Sequence, residues 1–358
     1  MRTRFAIDRI RASHEKGIVV FNYVLKRILM VIPVLLGVTV IIFLITRVLA
    51  PDPAPVVLGE HATEAAMAAW RTDNGLSDPI WMQFINFVSG AIRGDLGMSY
   101  YTHQSVTAEI GSRFPATAEL AVCAIIFASI IGVALGVISA VRKNRAADHI
   151  SMIIALIGVS MPIFWSGILL ILLFAGMLHV LPSSGRISPL LQPTGGTGFF
   201  LIDALIQGRW SSLADALVHL IMPTIALSLY SMAIITRMTR SSMLDTLGED
   251  YVRTAQAKGL TRGRVNIRHA LRCAMLPVST VIGLQFGSLL GGALLTETVF
   301  SWPGIGKFAV DSVLKSDFPC VQGIVLLIAV IFVFMNLLVD IIYAYLDPRI
   351  KYGASKEA

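Results

Sequence analysis

Long runs of apolar positions, free of Asp, Glu, Lys and Arg, recur along the chain at lengths that match a bilayer. Ile28 to Ile45 spans 18 residues, Leu120 to Val141 spans 22, and Ile150 to Leu178 spans 29 with Pro162 inside it. Leu217 to Ile235 (19 residues), Ala274 to Thr296 (23) and Cys320 to Val339 (20) complete the set. A helix rises about 1.5 Å per residue, so about 20 residues cross a hydrocarbon core. Each run predicts a transmembrane helix, six in all, with a kink at Pro162 where a helical N–H is missing. The run Phe199 to Ile206 carries Asp203 and lies in a Gly/Pro/Ser/Thr-rich stretch. It is too short to span and predicts an interfacial or re-entrant helix. The first run exceeds the ~7–15-residue core of a signal peptide. Its one small-x-small site, Val48 and Ala50, is followed by Pro51, so an uncleaved helix is expected.

Composition agrees with the pattern. Hydrophobic residues make up 55% of the chain and charged ones 14%, against about 25% charged in soluble chains. Six spans put both termini on one side. Of the 29 Lys and Arg, 21 fall in 1–27, 141–151, 237–275 and 346–358, and 8 on the opposite side. Positive loops stay inside, so both termini and the long basic loop are expected in the cytoplasm. The net charge of +7 is thereby explained as orientation and contact with anionic lipid, and no nucleic acid is needed. The resulting organisation is all-α: a cytoplasmic segment 1–27, a first helix 28–46, an extracytoplasmic loop region 47–116, a five-helix core 117–345 containing the loop 237–275, and a cytoplasmic tail 346–358. The three cysteines fall in different places, Cys123 in the membrane, Cys273 at the cytoplasmic face and Cys320 at the outer face, so no pair can bridge.

Most site chemistry is excluded by what the motifs lack. Gly306-Lys307 resembles a phosphate loop, but Phe308 stands where Ser or Thr would bind magnesium, and the topology puts it outside the cell. His-Glu-x-x-His, Cys-x-x-Cys and Gly-x-Ser-x-Gly do not occur. His14, His61, His103, His149, His179, His219 and His269 are scattered over both faces, which argues against a metal site. At membrane depth the acidic groups are Glu119, Glu297 and Asp340, all near span ends, and rim or helix-end roles are expected for Glu119 and Glu297. An autonomous secondary carrier or channel should show an internal repeat and a charge near midplane, and neither is found. An intramembrane hydrolase lacks its nucleophile motif. Gly132/Gly136 and Gly287/Gly291 are read as helix-packing pairs.

The loop 237–275 carries more information. Met243, Leu247, Tyr251 and Ala255 recur every four residues and predict one apolar stripe on a helix whose other face bears Asp245, Glu249 and Arg253. Gly259 is placed to stop that helix, because glycine takes φ > 0 without a Cβ penalty. Thr261 can cap a second helix leading through Val265, Arg268, Leu271, Arg272 and Met275 into span five. Two short helices meeting at a tight turn are therefore expected, either as an amphipathic surface hairpin or as a docking knob.

The segment Glu249-Asp250-Tyr251-Val252-Arg253-Thr254-Ala255-Gln256-Ala257-Lys258-Gly259-Leu260, continuing through Arg268-His269-Ala270-Leu271-Arg272 to Leu276-Pro277, resembles the cytoplasmic "EAA" loop of bacterial ABC importer permeases. The likeness is greatest to the dipeptide/oligopeptide/nickel branch. Further matches are Gly94-Asp95-Leu96-Gly97-x-Ser99, Arg113-Phe114-Pro115-Ala116-Thr117-Ala118-Glu119-Leu120-Ala121, Glu297-Thr298-Val299-Phe300-Ser301-Trp302-Pro303-Gly304-Ile305-Gly306 and Leu346-Asp347-Pro348-Arg349-Ile350. The resemblance covers about Asn22 to Lys351. Arg253-Thr254-Ala255 stands where the general pattern has Glu-Ala-Ala, and His269-x-Leu271-Arg272 where it has Ile-x-Leu-Pro, as in the peptide/nickel branch.

This resemblance implies a type I permease fold in the bacterial inner membrane. It implies a second homologous permease, two cytoplasmic ATPase subunits that bind ATP and magnesium, and an extracytoplasmic solute-binding protein received on 47–116. The chain itself would hold no cofactor. Glu249, Asp250, Tyr251, Arg253, Ala255, Ala257, Gly259, Leu260 and His269 would form the ATPase-coupling loop. The translocation path and the cargo, whether dipeptide, longer peptide, glutathione or metal chelate, stay open.

Overall fold

The computed structural model describes residues 29–59 and 61–346. The segment 1–27, the start of the first run at Ile28 and the tail motif beyond Leu346 lie outside the described residues.

Helix α1 (Leu29–Leu49) crosses the membrane and ends in one wide π turn. The outer region that follows is folded into α2 (Ala54–Leu58), α3 (Glu64–Asp73) and α4 (Ile80–Ile92). Thr63 caps α3 by accepting from the Ala66 N–H, satisfying one orphan donor of its first turn. Phe43 of α1 meets Phe84 of α4 edge-on at 5.1 Å, which lays this apolar helix against the first span. Helix α5 (Val106–Val141) begins well before its apolar run, on polar outer turns where Arg113 pairs with Glu109 one turn back.

The third run is not one kinked helix. It is α6 (Ala146–Ser160) and α7 (Ile163–Met177), bent by 105° at the break. Pro162 lacks an N–H and its ring excludes the helical conformation for Met161, which is extended at ψ 129°. The short run forms α8 (Phe200–Ile206), held at its start by Asp203, which accepts from the Thr197 and Gly198 N–H groups. Then come α9 (Trp210–Leu247), α10 (Asp250–Ala257), α11 (Arg262–Gly291), α12 (Leu294–Val299), α13 (Ile305–Leu314) and α14 (Phe318–Leu346). Among the described residues, α1, α5, α9, α11 and α14 are long and apolar enough to cross, and the broken α6–α7 pair makes the sixth span.

The core is the α5–α9 pair with α11 laid across it. Leu120, Ala124 and Ala128 of α5 meet Leu220, Leu227 and Ile235 of α9 and Val278 and Leu289 of α11. Helices in lipid associate through close van der Waals packing, since burial from lipid gives no hydrophobic gain. Gly136 shows the consequence: a Cβ there would lie 2.8 Å from the Thr236 carbonyl oxygen, so only glycine lets α9 approach. Gly287 and Gly291 likewise seat Met335 and Ile328 of α14.

Polar clamps close both ends of this bundle. Outside, Glu297 accepts from Thr117 Oγ1 at 2.7 Å and from the Lys307 N–H at 3.0 Å, while Thr117 Oγ1 accepts from the Ile305 N–H. The motifs at 113–121 and 297–306 are thus one contact, capping α13. Glu119 pairs with Arg186 at 2.6 Å and pins the outer segment between α7 and α8. Both carboxylates are buried and held by partners within the chain, Glu119 more than three turns inside α5 and not at its end. Ser99 donates to Asp317 and fastens the Gly94–Ser99 motif to the start of α14. Inside, Arg240 of α9 grips Asp148 at the start of α6.

Candidate coupling loop

The cytoplasmic loop starts where α9 ends. The four-residue recurrence through Met243, Leu247, Tyr251 and Ala255 does not lie on one helix, because the chain breaks at Gly248 and Glu249 is extended (ψ 146°). That extended residue shifts the helical phase. Met243 stays in the core with Ala140, Ala270 and Ala274, with Leu247 against them, but on α10 the buried anchor is Val252 and Tyr251 is 42% exposed. Ala255, one turn beyond Val252, is half-buried.

Gly259 ends α10 as its sequence position predicts. Its φ is +81°, its N–H donates to the Gln256 carbonyl at 2.9 Å, and the Leu260 N–H reaches the Ala255 carbonyl at 3.4 Å. These two bonds form a Schellman turn, which satisfies carbonyls the helix end would orphan. Ala255 and Leu260, both half-buried, close the turn on its inner side. Thr261 stands at the N-cap of the next helix in extended conformation, without a side-chain capping bond.

That next helix is not short. It runs from Arg262 to Gly291 as α11, so the second arm of the hairpin is the cytoplasmic end of span five itself. A wide π turn at Val265–Ala270 interrupts its regular winding, with His269 half-buried in it. Val265 and Ala270 are buried, while Arg262, Arg264, Arg268 and Arg272 are exposed. The Tyr251 phenol is pushed up to about 12, first by desolvation and then by the neighbouring Cys273 thiol of α11.

The outward surface is mostly polar and is left uncovered by the described residues. Glu249, Asp250, Arg253, Ala257, Lys258 and Gly259 are all exposed. The Arg253–Asp250 pair at 3.5 Å is fully in water and adds at most a few tenths of a kcal/mol. Of the residues expected to act, Ala255, Leu260 and His269 are half-buried in the hairpin, and the other six, Tyr251 among them, are exposed. Sequence reasoning missed Val252 as anchor, hidden by the more regular spacing of Tyr251. It also missed the Asp148–Arg240 clamp at the base of the hairpin, since no local pattern links residues so far apart.

Six spans, long α5 and α9 helices and a hairpin at the foot of span five describe a multi-pass membrane protein. Residues 132–352 match the model of the binding-protein-dependent transport system inner membrane component and residues 20–121 that of the family's N-terminal region, and the chain belongs to this family. It is therefore a bacterial inner-membrane subunit of an ABC importer, working with other transporter subunits. It is 46% identical over 335 residues to the dipeptide transport system permease protein DppB of Escherichia coli K12, covering 92% of this chain and 99% of that protein. It is 44% identical over 332 residues to the di/tripeptide transport system permease protein DppB of Pseudomonas aeruginosa, with the same coverage. The glutathione transport system permease protein GsiC of Escherichia coli O6:H1 is 40% identical over 331 residues, again covering 92% and 99%.

Proposed function

We propose that the chain is the permease through which an ABC importer moves short peptides into the cell. It pairs with a second homologous permease, receives cargo from an extracytoplasmic solute-binding protein, and docks two cytoplasmic ATPase subunits on residues 249–272. ATP and magnesium are held by those subunits, and the chain has no ATPase site of its own. The observation that carries the coupling role is the Schellman turn at Gly259, which joins the exposed α10 rigidly to the helix that becomes span five. A push on α10 is then a push on a helix that crosses the membrane, which is what a rigid-body switch between inward-facing and outward-facing states requires. Peptide cargo is supported by the names of relatives that match over nearly their whole length.

The test combines uptake with partner identification. Cells lacking this chain should lose accumulation of a radiolabelled dipeptide and regain it with the gene, and the chain isolated from native membrane should bring ATP-binding subunits with it. Unchanged uptake together with a chain that hydrolyses ATP alone would contradict the reading.

A further inference from the structure

At the centre of span five stands a residue that lipid does not suit. The charge-free run Ala274–Thr296 has Gln285 at its midpoint, eleven residues from each end. Gln285 is only half-buried, so the described residues do not fully enclose it. Elsewhere the exposed positions on the spans are mostly hydrocarbon, with Ile126, Ile130, Leu156 and Phe334 as examples and Ser160 at the α6–α7 break as an exception. An amide turned to hydrocarbon without partners is costly.

The amide is held in one orientation. Ser231 of α9, buried to 1% exposure, donates from Oγ to Gln285 Oε1 at 3.0 Å. That bond occupies the oxygen and leaves both Nε2 hydrogens without an acceptor among the described residues. Ser288, one turn along on the same side of α11, is exposed, and so is Tyr230 beside Ser231. Two helices therefore present polar groups where lipid-facing surface would carry none.

Two further facts favour an aqueous path over a dry helix contact. Gln285 sits on the helix that continues into the coupling hairpin, so it moves with the hairpin. A carboxamide donor also suits a cargo whose one constant feature is the backbone carbonyl, because such a contact ignores side-chain identity.

We propose that Gln285, positioned by Ser231, lines the translocation path at mid-membrane and donates a hydrogen bond to backbone carbonyls of the peptide in transit. The cargo half rests on the peptide reading above, and the path half on the coupling role of the hairpin together with the half-buried, Ser231-held amide.

The test uses the assembled transporter in proteoliposomes, with Cys123, Cys273 and Cys320 replaced by Ala. Gln285→Cys should react with a charged methanethiosulfonate from the aqueous phase and lose transport on reaction, and a dipeptide supplied with ATP and the binding protein should slow that reaction. Ile130→Cys, at an apolar exposed position, should stay unreactive. Gln285→Leu should cut dipeptide transport roughly tenfold, as expected for one lost hydrogen bond, with the ATPase subunits still bound. Ser231→Ala should lose less, and adding it to Gln285→Leu should cost nothing more, since it acts only through Gln285. A thiol at position 285 as unreactive as the one at position 130, or full transport by Gln285→Leu, would overturn the proposal. Reactivity that a dipeptide leaves unchanged would overturn the peptide contact alone.

Discussion

Arg240 holds Asp148 through two edges of its guanidinium, Nε at 2.8 Å from Oδ1 and Nη2 at 2.9 Å from Oδ2. The carboxylate also accepts from the Asn144 N–H and from Ser139 Oγ, so the cytoplasmic ends of α5, α6 and α9 meet at one buried group. The hairpin 249–272 grows directly from this clamp. Asp148 is buried but Arg240 is 27% exposed, so removing one partner costs less than the about 3–5 kcal/mol of a fully buried pair. Asp148→Ala should therefore lower the thermal stability of the detergent-solubilised chain and depress transport more than ATPase binding. Arg240→Lys should fall between wild type and Asp148→Ala, since an ammonium cannot reproduce the bidentate fork. Unchanged melting of Asp148→Ala would show that the clamp carries no stability.

Gly259→Val should insert normally and fail in transport. A Cβ at this position meets nothing within 4 Å, so the penalty comes from φ of +81° and not from crowding within the chain. Left-handed backbone costs about 1–2 kcal/mol for an ordinary residue and more for a β-branched one. Gly259→Asn should retain most transport, because Asn adopts this conformation readily. Vesicle uptake normalised to membrane-inserted protein checks the ordering Gly, Asn, Val, and equal transport by all three would remove the turn from the mechanism.

Glu297 should be needed for the outer clamp. Replacement by Ala leaves Thr117 and the Lys307 N–H without their acceptor, at about 1–3 kcal/mol for each buried group, whereas Gln keeps the shape and an acceptor oxygen. The melting temperature of the detergent-solubilised chain should fall for Glu297→Ala and fall less for Glu297→Gln, and equal melting of both variants and wild type would show that the outer clamp carries no stability.

The native thiols report topology. Cys273 is exposed, while Cys320, expected at the outer face, is buried at the start of α14. An impermeant maleimide should label neither in intact cells and should label Cys273 in inverted vesicles. Leu314→Cys, at an exposed position on α13, supplies the outside control. Labelling of Cys273 from outside would invert the orientation.

The spans were legible because an uncharged run of bilayer length has few other uses. Their true ends were not: α5 and α9 extend far beyond the apolar runs on turns whose polarity is matched by neighbours, as with Glu109 and Arg113. Pro162 marked a break, but its 105° depends on what α7 packs against. Gly259 was readable because one residue suffices to require positive φ. Val252 was not, since its burial depends on the phase reset at Glu249, and the Glu119–Arg186 and Asp148–Arg240 pairs join segments that only the folded chain brings together.

The most direct measurement places a photoreactive benzoylphenylalanine at Ala257, on the exposed side of α10, in the full transporter within native membranes. Irradiation followed by mass spectrometry of the adducts should yield this chain joined to an ATP-binding subunit, with yield reduced in Gly259→Val. Adducts confined to lipid, or an ATPase adduct formed equally from Leu314 on the outer face, would contradict the assignment of residues 249–272 as the seat of the motor.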